Sequence, residues 1–247
     1  MALINSFEES GNFFFKYRGQ IPVILFVLAV PVIALTDFSN IPRNIQQVIT
    51  WVSIVMSVAG FLIRAWTIGT TPKGTSGRNT SGQVAEALNK DGIYSMVRHP
   101  LYLGNWLMWS GIVLFTFNLW FFITVSLAYW LYYERIMFAE ERFLERKFGQ
   151  PYLDWAAGVP AFIPAIGKYR KSDIPFSLIS VLRREYSGIL ATVAGFAFVD
   201  YLRTYFISNE ILTLRPSLWA TGIAALLALI LRTIKHNTQL LDEEGRS

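Results

Sequence analysis

The chain has 247 residues, of which 53% are hydrophobic and only 16% are charged. A soluble globular domain usually carries about a quarter charged residues, and a disordered chain combines low hydrophobicity with high net charge. The composition therefore excludes both classes. Because the apolar residues form long blocks, we predict an all-α, polytopic protein with a single integral membrane domain over residues 1–247.

The residue inventory narrows the chemistry that the chain can perform. Cysteine is absent, which excludes disulfide scaffolds and thiol nucleophiles. There are only two histidines, His99 and His236, so we predict no metal site. The formal net charge is +5. In a membrane protein such an excess reflects anionic lipid and cytoplasmic loops, so we predict no nucleic-acid partner. Glu8 and Glu9 argue against a removable signal peptide at the N-terminus.

The apolar blocks predict about six transmembrane helices. The blocks cover residues 21–36, 48–63, 102–117, 119–133, 188–206 and 218–234. Backbone amides cannot remain unpaired in lipid, so each block must be helical despite its β-branched and aromatic content. Several blocks are shorter than the roughly 20 residues that cross a bilayer, so their boundaries are soft. The break near Asn118 predicts a tight helical hairpin.

The distribution of basic residues predicts the orientation. With the N-terminus inside, most of the 22 Lys and Arg residues are cytoplasmic, whereas Arg43 and Arg215 lie outside. We therefore expect both termini in the cytoplasm and the protein in the cytoplasmic, or inner, membrane. Two polar segments, residues 70–100 and 134–187, then lie on the same face, where charged chemistry is expected. Gly149 and Pro151 predict the end of a helical extension over residues 134–148.

The stretch around His99 carries the densest chemical signal. Pro100 suits the first turn of a membrane helix, which places Arg98 and His99 at the positive helix N-terminus beside Tyr102. That arrangement can bind an anion and a flat ring. The alternative is an interfacial anchor, in which the Arg snorkels and the Tyr joins an aromatic belt.

Two motifs together resemble a known family. The first is Gly92-x-Tyr94 followed by Arg98-His99-Pro100-x-Tyr102-x-Gly104. The second is Glu140-Glu141-x-x-Leu144-x-x-x-Phe148-Gly149-x-x-Tyr152-x-x-Trp155, followed by Val159-Pro160-x-Phe162-Ile163-Pro164. This pattern resembles the isoprenylcysteine carboxyl methyltransferase and phospholipid methyltransferase superfamily of integral membrane enzymes. The family usually has Tyr at the position of Trp155.

The resemblance implies a division of the chain and a set of site residues. Residues 60–164 would be the methyltransferase core, and residues 165–247 a two-helix C-terminal extension. The implied cofactor is S-adenosylmethionine, and the residues implied to bind it are Tyr94, His99, Tyr102, Gly104, Glu140 and Glu141. A cationic cofactor is compatible with carboxylates and aromatic faces, and its own carboxylate with Arg or a helix N-terminus. The alternative for the two glutamates is a solvated helix face paired with Arg142 and Arg146.

Methyl transfer from a sulfonium is an in-line displacement at an activated carbon. An anionic oxygen acceptor needs no general base, only alignment and desolvation, which is consistent with the scarcity of histidine. We predict catalytic roles for Arg64, Arg78 and Arg98 as cations beside the reacting groups. Arg64, near the end of the second helix, is costly in a membrane unless it faces a polar site or snorkels.

The acceptor is predicted from the segment over residues 72–82, which is rich in Gly, hydroxyl groups and two cations. That composition suits a phosphate-binding nest. The resembled superfamily includes bacterial lipid A phosphate methyltransferases, so the resemblance together with this segment favours a lipid phosphate such as that of lipid A. We predict Lys73 and Asn79 from the segment, and Tyr152 from the second motif, as substrate-binding residues. The alternative for the segment is a flexible polar loop. The alternative acceptors are a prenylcysteine carboxylate and a phospholipid amine.

Two other classes of function remain open from the sequence. Membrane sterol reductases that use NADPH carry a similar Arg-His-Pro-Asn-Tyr motif, but this chain has Leu101 at the fourth position. A non-catalytic membrane carrier is the other alternative. In the fifth helix, Asp200 and Arg203 are three residues apart and are predicted to pair with each other.

Overall fold

The structure, a computed structural model, describes residues 2–72, 74–75, 83–209 and 215–246. The described residues form α1 (Leu3–Lys16), α2 (Val23–Ala34), α3 (Arg43–Gly69), α4 (Pro100–Leu114), α5 (Leu119–Phe148), α6 (Gln150–Gly158), α7 (Leu178–Ser208) and α8 (Pro216–Asn237). Short 3-10 turns cover Ile93–Ser95 and Ile166–Lys168. The part of the chain that is described contains helices and one isolated β-bridge, which confirms the predicted all-α class.

Each of the six apolar blocks forms a helix, namely α2, α3, α4, α5, α7 and α8. Three of them, α3, α7 and α8, are long and apolar enough to cross a membrane, and α2 is a shorter apolar helix. The outward face of α3 exposes large apolar side chains such as Trp51, Val55 and Leu62. Such a face suits lipid contact. Six crossings remain a prediction, since α4 is shorter and α5 is less apolar than these three helices.

The predicted hairpin is formed by α4 and α5. Asn118 is the N-cap of α5, and its side-chain oxygen accepts a hydrogen bond from the backbone N–H of Phe121 at 2.9 Å. The α5 helix then continues without a break to Phe148, where Gly149 adopts a φ of 60° and ends it. Both features were predicted from the sequence. The continuation carries Glu140 and Glu141 away from the apolar part of the helix to the end of the bundle that bears the polar loops, here called the polar end.

Small residues allow α3 and α4 to pack closely. A Cβ atom added at Gly60 would lie 2.5 Å from the carbonyl oxygen of Gly104, and one added at Gly111 would lie 2.2 Å from Oγ of Ser57. Ser57 also donates a hydrogen bond to the carbonyl of Met108 at 2.9 Å. Small residues at a helix interface let the backbones approach, and van der Waals packing then stabilises the pair. The contact places the end of α3 beside the start of α4.

The α7 helix begins earlier than the apolar pattern indicates. It starts at Leu178 rather than at residue 188, and the side chain of its N-cap, Ser177, accepts from the backbone N–H of Ser180 at 3.0 Å. The charged residues Arg183, Arg184 and Glu185 interrupt the apolar block and conceal these first turns. These charged residues therefore belong to a helix of the bundle and not to a loop, because α7 packs against α2, α3, α4 and α8.

The predicted pairing of Asp200 with Arg203 is wrong. Asp200 binds Arg215, with Nε 2.7 Å from Oδ2, and it accepts a hydrogen bond from Ser217. The guanidinium of Arg203 instead lies over the ring of Phe117, 3.6 Å from its centroid, and donates to the carbonyl of Phe115. Asp200 reaches Arg215 at the start of α8 and forms a bidentate pair with it, while the guanidinium of Arg203 is directed to Phe117 and Phe115.

An amphipathic helix, α1, lies against α5 and was not predicted. Phe7 and Phe138 form an edge-to-face ring pair with centroids 5.8 Å apart, and Glu8 binds Arg146 at 2.6 Å. At Gly11, an added Cβ would lie 2.1 Å from the carbonyl oxygen of Arg135. The N-terminal segment is therefore packed against the part of α5 that extends to the polar end.

Candidate active site

A cavity of about 400 Å³ opens at the polar end of the bundle. Its volume lies in the range of small-molecule sites, roughly 300–1,000 Å³. The walls come from the connection between α1 and α2, the end of α3, the start of α4, the second half of α5 and the first turns of α7. Its charged lining residues are Arg18, Arg64, Arg98, His99, Glu140, Arg184 and Glu185, and its tyrosines are Tyr94, Tyr102 and Tyr133.

Backbone hydrogen bonds join the two halves of the sequence signature. The N–H of Arg98 donates to the carbonyl of Pro160 at 2.9 Å, and the N–H of His99 donates to the carbonyl of Ala161 at 3.1 Å. The N–H of Ala165 donates to the carbonyl of Met96 at 2.9 Å. The second half therefore holds the backbone that enters α4, which fixes the direction of the Arg98 and His99 side chains. As predicted, α4 starts at Pro100 with His99 as its N-cap.

His99 lies between two adjacent carboxylates. Its Nε2 atom is 2.9 Å from Oε1 of Glu141, its Nδ1 atom is 3.5 Å from Oε2 of Glu140, and only 7% of the residue is exposed. Burial by itself lowers the pKa of His99, but hydrogen bonds and charges from both glutamates outweigh it and raise the pKa above its ordinary value. The two carboxylates thus stabilise the protonated ring, in which both nitrogens donate, relative to the neutral ring.

The two glutamates have different surroundings. Glu141 faces His99 and also Arg98, whose Nε lies 3.2 Å from Oε1. Burial raises the pKa of Glu141, but hydrogen bonding and charge from His99, with the charge of Arg98, bring it below its ordinary value. Glu140 instead lines the cavity and accepts a hydrogen bond from the hydroxyl of Tyr102 at 2.7 Å. Of the two glutamates, Glu140 is thus the one that faces the cavity, and Glu141 holds His99 and Arg98.

Tyr94 and Trp155 belong to one side of the cavity. Tyr94 lies in the 3-10 turn before α4, and the indole N–H of Trp155 donates to its carbonyl at 3.3 Å. The Trp at the position where the resembled family usually has Tyr therefore supports the backbone of a predicted cofactor-binding residue. Tyr152 is buried beside Glu141, packed against Trp155 with ring centroids 5.8 Å apart, and lies behind the cavity wall.

Arg64 and Gly104 meet where α3 crosses α4. A Cβ atom at Gly104 would lie 2.5 Å from Cγ of Arg64, so the glycine makes room for the arginine stem rather than lining the cavity. Arg64 binds Glu185 through two hydrogen bonds, Nε to Oε2 at 2.8 Å and NH2 to Oε1 at 2.6 Å. Arg64 lines the cavity, as predicted for a residue that faces a polar site, and its charge is paired with that of Glu185 on α7.

Several residues that line the cavity were missed from the sequence. Arg184 and Glu185 had been assigned to a polar loop, and Phe15 and Arg18 lie in a segment for which no helix was predicted. Asn105 follows the signature directly, and its side-chain oxygen accepts from Arg64 NH1 at 2.6 Å. Its position one residue after Gly104 is the signal that could have identified it.

Three predicted residues, Lys73, Arg78 and Asn79, lie outside the described part of the chain. Thr75 and Gln83, the described residues on either side of residues 76–82, line the cavity. Within the described ranges, no group of three or more His, Cys, Asp or Glu side chains is placed to hold a metal ion.

A helical bundle with apolar outer faces and a polar cavity at one end defines the class as a membrane protein with a cavity of small-molecule size. Comparison with known proteins agrees with the motif. The phospholipid methyltransferase family profile matches residues 48–151. The chain belongs to the isoprenylcysteine carboxyl methyltransferase and phospholipid methyltransferase superfamily, which the sequence signature had predicted.

The curated relatives carry two kinds of name. The chain is 30% identical to the nickel-cobalt-cadmium resistance protein NccN of Alcaligenes xylosoxydans xylosoxydans, over 64% of this chain and 71% of that protein. It is 32% identical to the cobalt-zinc-cadmium resistance protein CzcN of Cupriavidus metallidurans, over 49% of this chain and 55% of that protein. It is 31% identical to the protein-S-isoprenylcysteine O-methyltransferase of Schizosaccharomyces pombe, over 44% of this chain and 49% of that protein.

The chain thus spans about half the length of the second and third of these relatives. No solved structure matches it. The family profile ends at residue 151, before α7 and α8 begin.

Proposed function

We propose that the protein transfers a methyl group from S-adenosylmethionine to an anionic oxygen of a lipid or lipidated acceptor. The observation that carries the proposal is the cavity in which Glu140, Tyr94 and Tyr102 lie together at the polar end of an apolar bundle. A polar site that borders apolar helices is accessible to a water-soluble cofactor and to a lipid-borne acceptor. Family membership supports methyl transfer as the reaction.

The lining of the cavity fits the cofactor. Glu140 offers a carboxylate, and the Tyr94 and Tyr102 rings offer aromatic faces, which are the groups that attract a sulfonium or ammonium cation. Arg98 and the N-terminus of α4 offer positive charge for a carboxylate. When bound, S-adenosylmethionine supplies a methyl group that is already activated by the sulfonium.

The contribution of the chain is binding, alignment and exclusion of water. Glu141 holds the His99 ring and Arg98 in place, so the groups that face the cavity are oriented before the ligands arrive. Arg64 and Arg98 provide positive charge in the wall, and Arg78 is proposed to do the same from the adjoining segment. An acceptor that is ionised near neutral pH then needs no proton to be removed before transfer.

A lipid phosphate, such as that of lipid A, is our first candidate acceptor, because the segment with Lys73, Arg78 and Asn79 has the composition of a phosphate nest. A prenylcysteine carboxylate is the second candidate. It is favoured by the name of the Schizosaccharomyces pombe relative, and its charge would suit the same arginines.

We further propose that the polar end faces the cytoplasm, in the inner membrane. The excess of Lys and Arg in the polar segments supports this orientation. Glu8 binds Arg146 at this end, and Arg246 donates to the carbonyl of Gly69 at 2.8 Å. Both terminal segments thus pack at the polar end, in agreement with termini on the same side.

The function is tested by methyl transfer from labelled S-adenosylmethionine into a total lipid extract, with identification of the labelled lipid. The expected product is a methyl ester of a phosphate or carboxylate. Calorimetry on the purified protein should show S-adenosylmethionine binding without added metal. Binding of NADPH in its place would favour the reductase, and binding of neither would favour a carrier. A methylated amine as product would reject the anionic acceptor and retain the methyltransferase.

A further inference from the structure

The first turns of α7 form one wall of the cavity. Arg184 and Glu185 both line it, with relative exposures of 8% and 1%. These residues lie beyond residue 151, where the match to the family profile ends. The carboxylate and the rings proposed to hold the cofactor, Glu140, Tyr94 and Tyr102, lie inside the matched segment. The cavity is therefore lined partly by residues of the matched segment and partly by elements outside it, α7 among them.

A continuous hydrogen-bond network connects α7 with three other helices. Glu185 binds the Nε and NH2 groups of Arg64, and Arg64 NH1 donates to Asn105. Asn105 in turn donates to the hydroxyl of Tyr133 at 3.3 Å. A guanidinium has five N–H donors, and these contacts use three of them. Arg64 is thus oriented on one edge by α7 and keeps N–H groups for a ligand in the cavity that it lines.

Arg184 and its neighbour Arg183 point in different directions from α7. Arg183 binds the C-terminal tail through Asp242 and the carbonyl of Leu241, whereas Arg184 lines the cavity. Successive residues of a helix are about 100° apart, so such a separation is expected. Burial and the charge of Glu140 raise the pKa of Tyr94, and the charge of Arg184 acts in the opposite direction. Arg184 and Tyr94 both line the cavity.

We propose that Arg184, with the remaining N–H groups of Arg64, binds the oxyanion of the methyl acceptor and so determines that the acceptor is anionic. The inference rests on the proposed function and names the substrate contact of the same site. Arg64, Arg184 and Glu185 together carry a net positive charge in a buried wall, and such a wall attracts an anion and disfavours an amine cation. Phosphate and carboxylate share this chemistry, and Arg binds either of them bidentately.

The α7 side is assigned to the acceptor rather than to the cofactor for a positional reason. The residues proposed to contact the cofactor lie in the segment that matches the family profile, and a cofactor shared by the family would be bound by that segment. An element outside the matched segment can differ between relatives without loss of the cofactor site. Arg98, inside the segment, already provides positive charge beside the cofactor-binding residues.

The test compares ligand binding by the full chain in detergent, for the wild type, Arg184→Gln and the matched control Arg183→Gln. The probes are dioleoyl phosphatidic acid, S-farnesyl-N-acetylcysteine, zwitterionic dioleoyl phosphatidylcholine and S-adenosylmethionine, each measured by calorimetry. Loss of a charge-assisted contact typically lowers affinity by about tenfold or more. For Arg184→Gln we expect this loss of affinity with the two anionic probes and an unchanged affinity for S-adenosylmethionine. For Arg183→Gln we expect no loss with any of these probes. The anionic probe that binds more tightly to the wild type shows whether the acceptor group is a phosphate or a carboxylate.

Two results would overturn the inference. One is equal affinity of the wild type and Arg184→Gln for both anionic probes. The other is a loss of affinity for S-adenosylmethionine alone, which would assign Arg184 to the carboxylate of the cofactor. Circular dichroism of each variant verifies folding, and Arg184→Lys, which retains the charge, should recover part of the affinity. Because these measurements need no turnover, failure of methyl transfer in the lipid extract would reject the proposed function separately.

Discussion

The Nε2 atom of His99 lies 2.9 Å from Oε1 of Glu141, although the two residues come from different helices and different halves of the signature. The contact joins the start of α4 to the far part of α5. Since Glu141 also holds Arg98, it orients two residues that line the cavity while facing away from the cavity itself. The pair thus connects the two motifs in space.

Replacing either partner should weaken cofactor binding. We expect His99→Ala and Glu141→Ala each to lower S-adenosylmethionine affinity by about a hundredfold, because a charged contact or its support is lost. Calorimetry measures the affinity, and circular dichroism should show unchanged helix content. Glu145→Ala on the same helix, which breaks only the partly exposed pair with Arg142, is the control. Near-normal affinity in both site variants would reject the proposed pocket.

The same pair predicts a pH dependence of stability. The raised pKa of His99 means that its contribution is fully present below its ordinary pKa of about 6.5 and is lost as the pH rises through the raised value. The lowered pKa of Glu141 means that its contribution is present above about pH 4.5 and is lost as the pH falls through the lowered value. Thermal unfolding in detergent should therefore show highest stability between these limits. In His99→Gln the decline on the alkaline side should become smaller, and an unchanged decline would contradict the assignment.

Close packing of α3 and α4 predicts that Gly104→Ala is destabilising. The new Cβ would lie 2.5 Å from Cγ of Arg64 and 2.8 Å from the carbonyl oxygen of Gly60. Overpacking of this kind costs roughly 1–3 kcal/mol. The matched control is Gly222→Ala on α8, where nothing lies within 4 Å of the added atom. We expect a lower melting temperature for Gly104→Ala and not for Gly222→Ala. Equal melting temperatures of the two variants would show that α3 and α4 can move apart without loss of stability.

Arg78 is predicted to orient the acceptor when that acceptor is a lipid phosphate. Arg binds phosphate with a bidentate fork whereas Lys is a point charge, so Arg78→Lys should keep the charge and lose alignment. We expect kcat to fall far more than the affinity for S-adenosylmethionine, because the lost interaction belongs to the acceptor and the transition state. Turnover assays with labelled cofactor, paired with calorimetry, measure both quantities. Normal methylation by Arg78→Ala would reject this role.

The helical architecture was predictable because each apolar block has to satisfy its own backbone hydrogen bonds in lipid. Local signals located the breaks, as Asn118 and Gly149 show at the two ends of α5. The amphipathic α1 was missed because it is too short and too polar to resemble a membrane span. The first turns of α7 were missed because Arg183, Arg184 and Glu185 interrupt its apolar pattern.

The sequence by itself determined the class of protein, the family and the residues of the signature, because hydrophobic blocks and residue spacing are local properties of the chain. Only the tertiary structure decided which charges meet. Arg64 binds Glu185 because α7 packs beside α3, and Asp200 binds Arg215 rather than Arg203 because the start of α8 lies within reach of its carboxylate. Ion pairs act over a few ångströms in space, whereas the distance along the chain between their partners is unrestricted, so no local pattern specifies them.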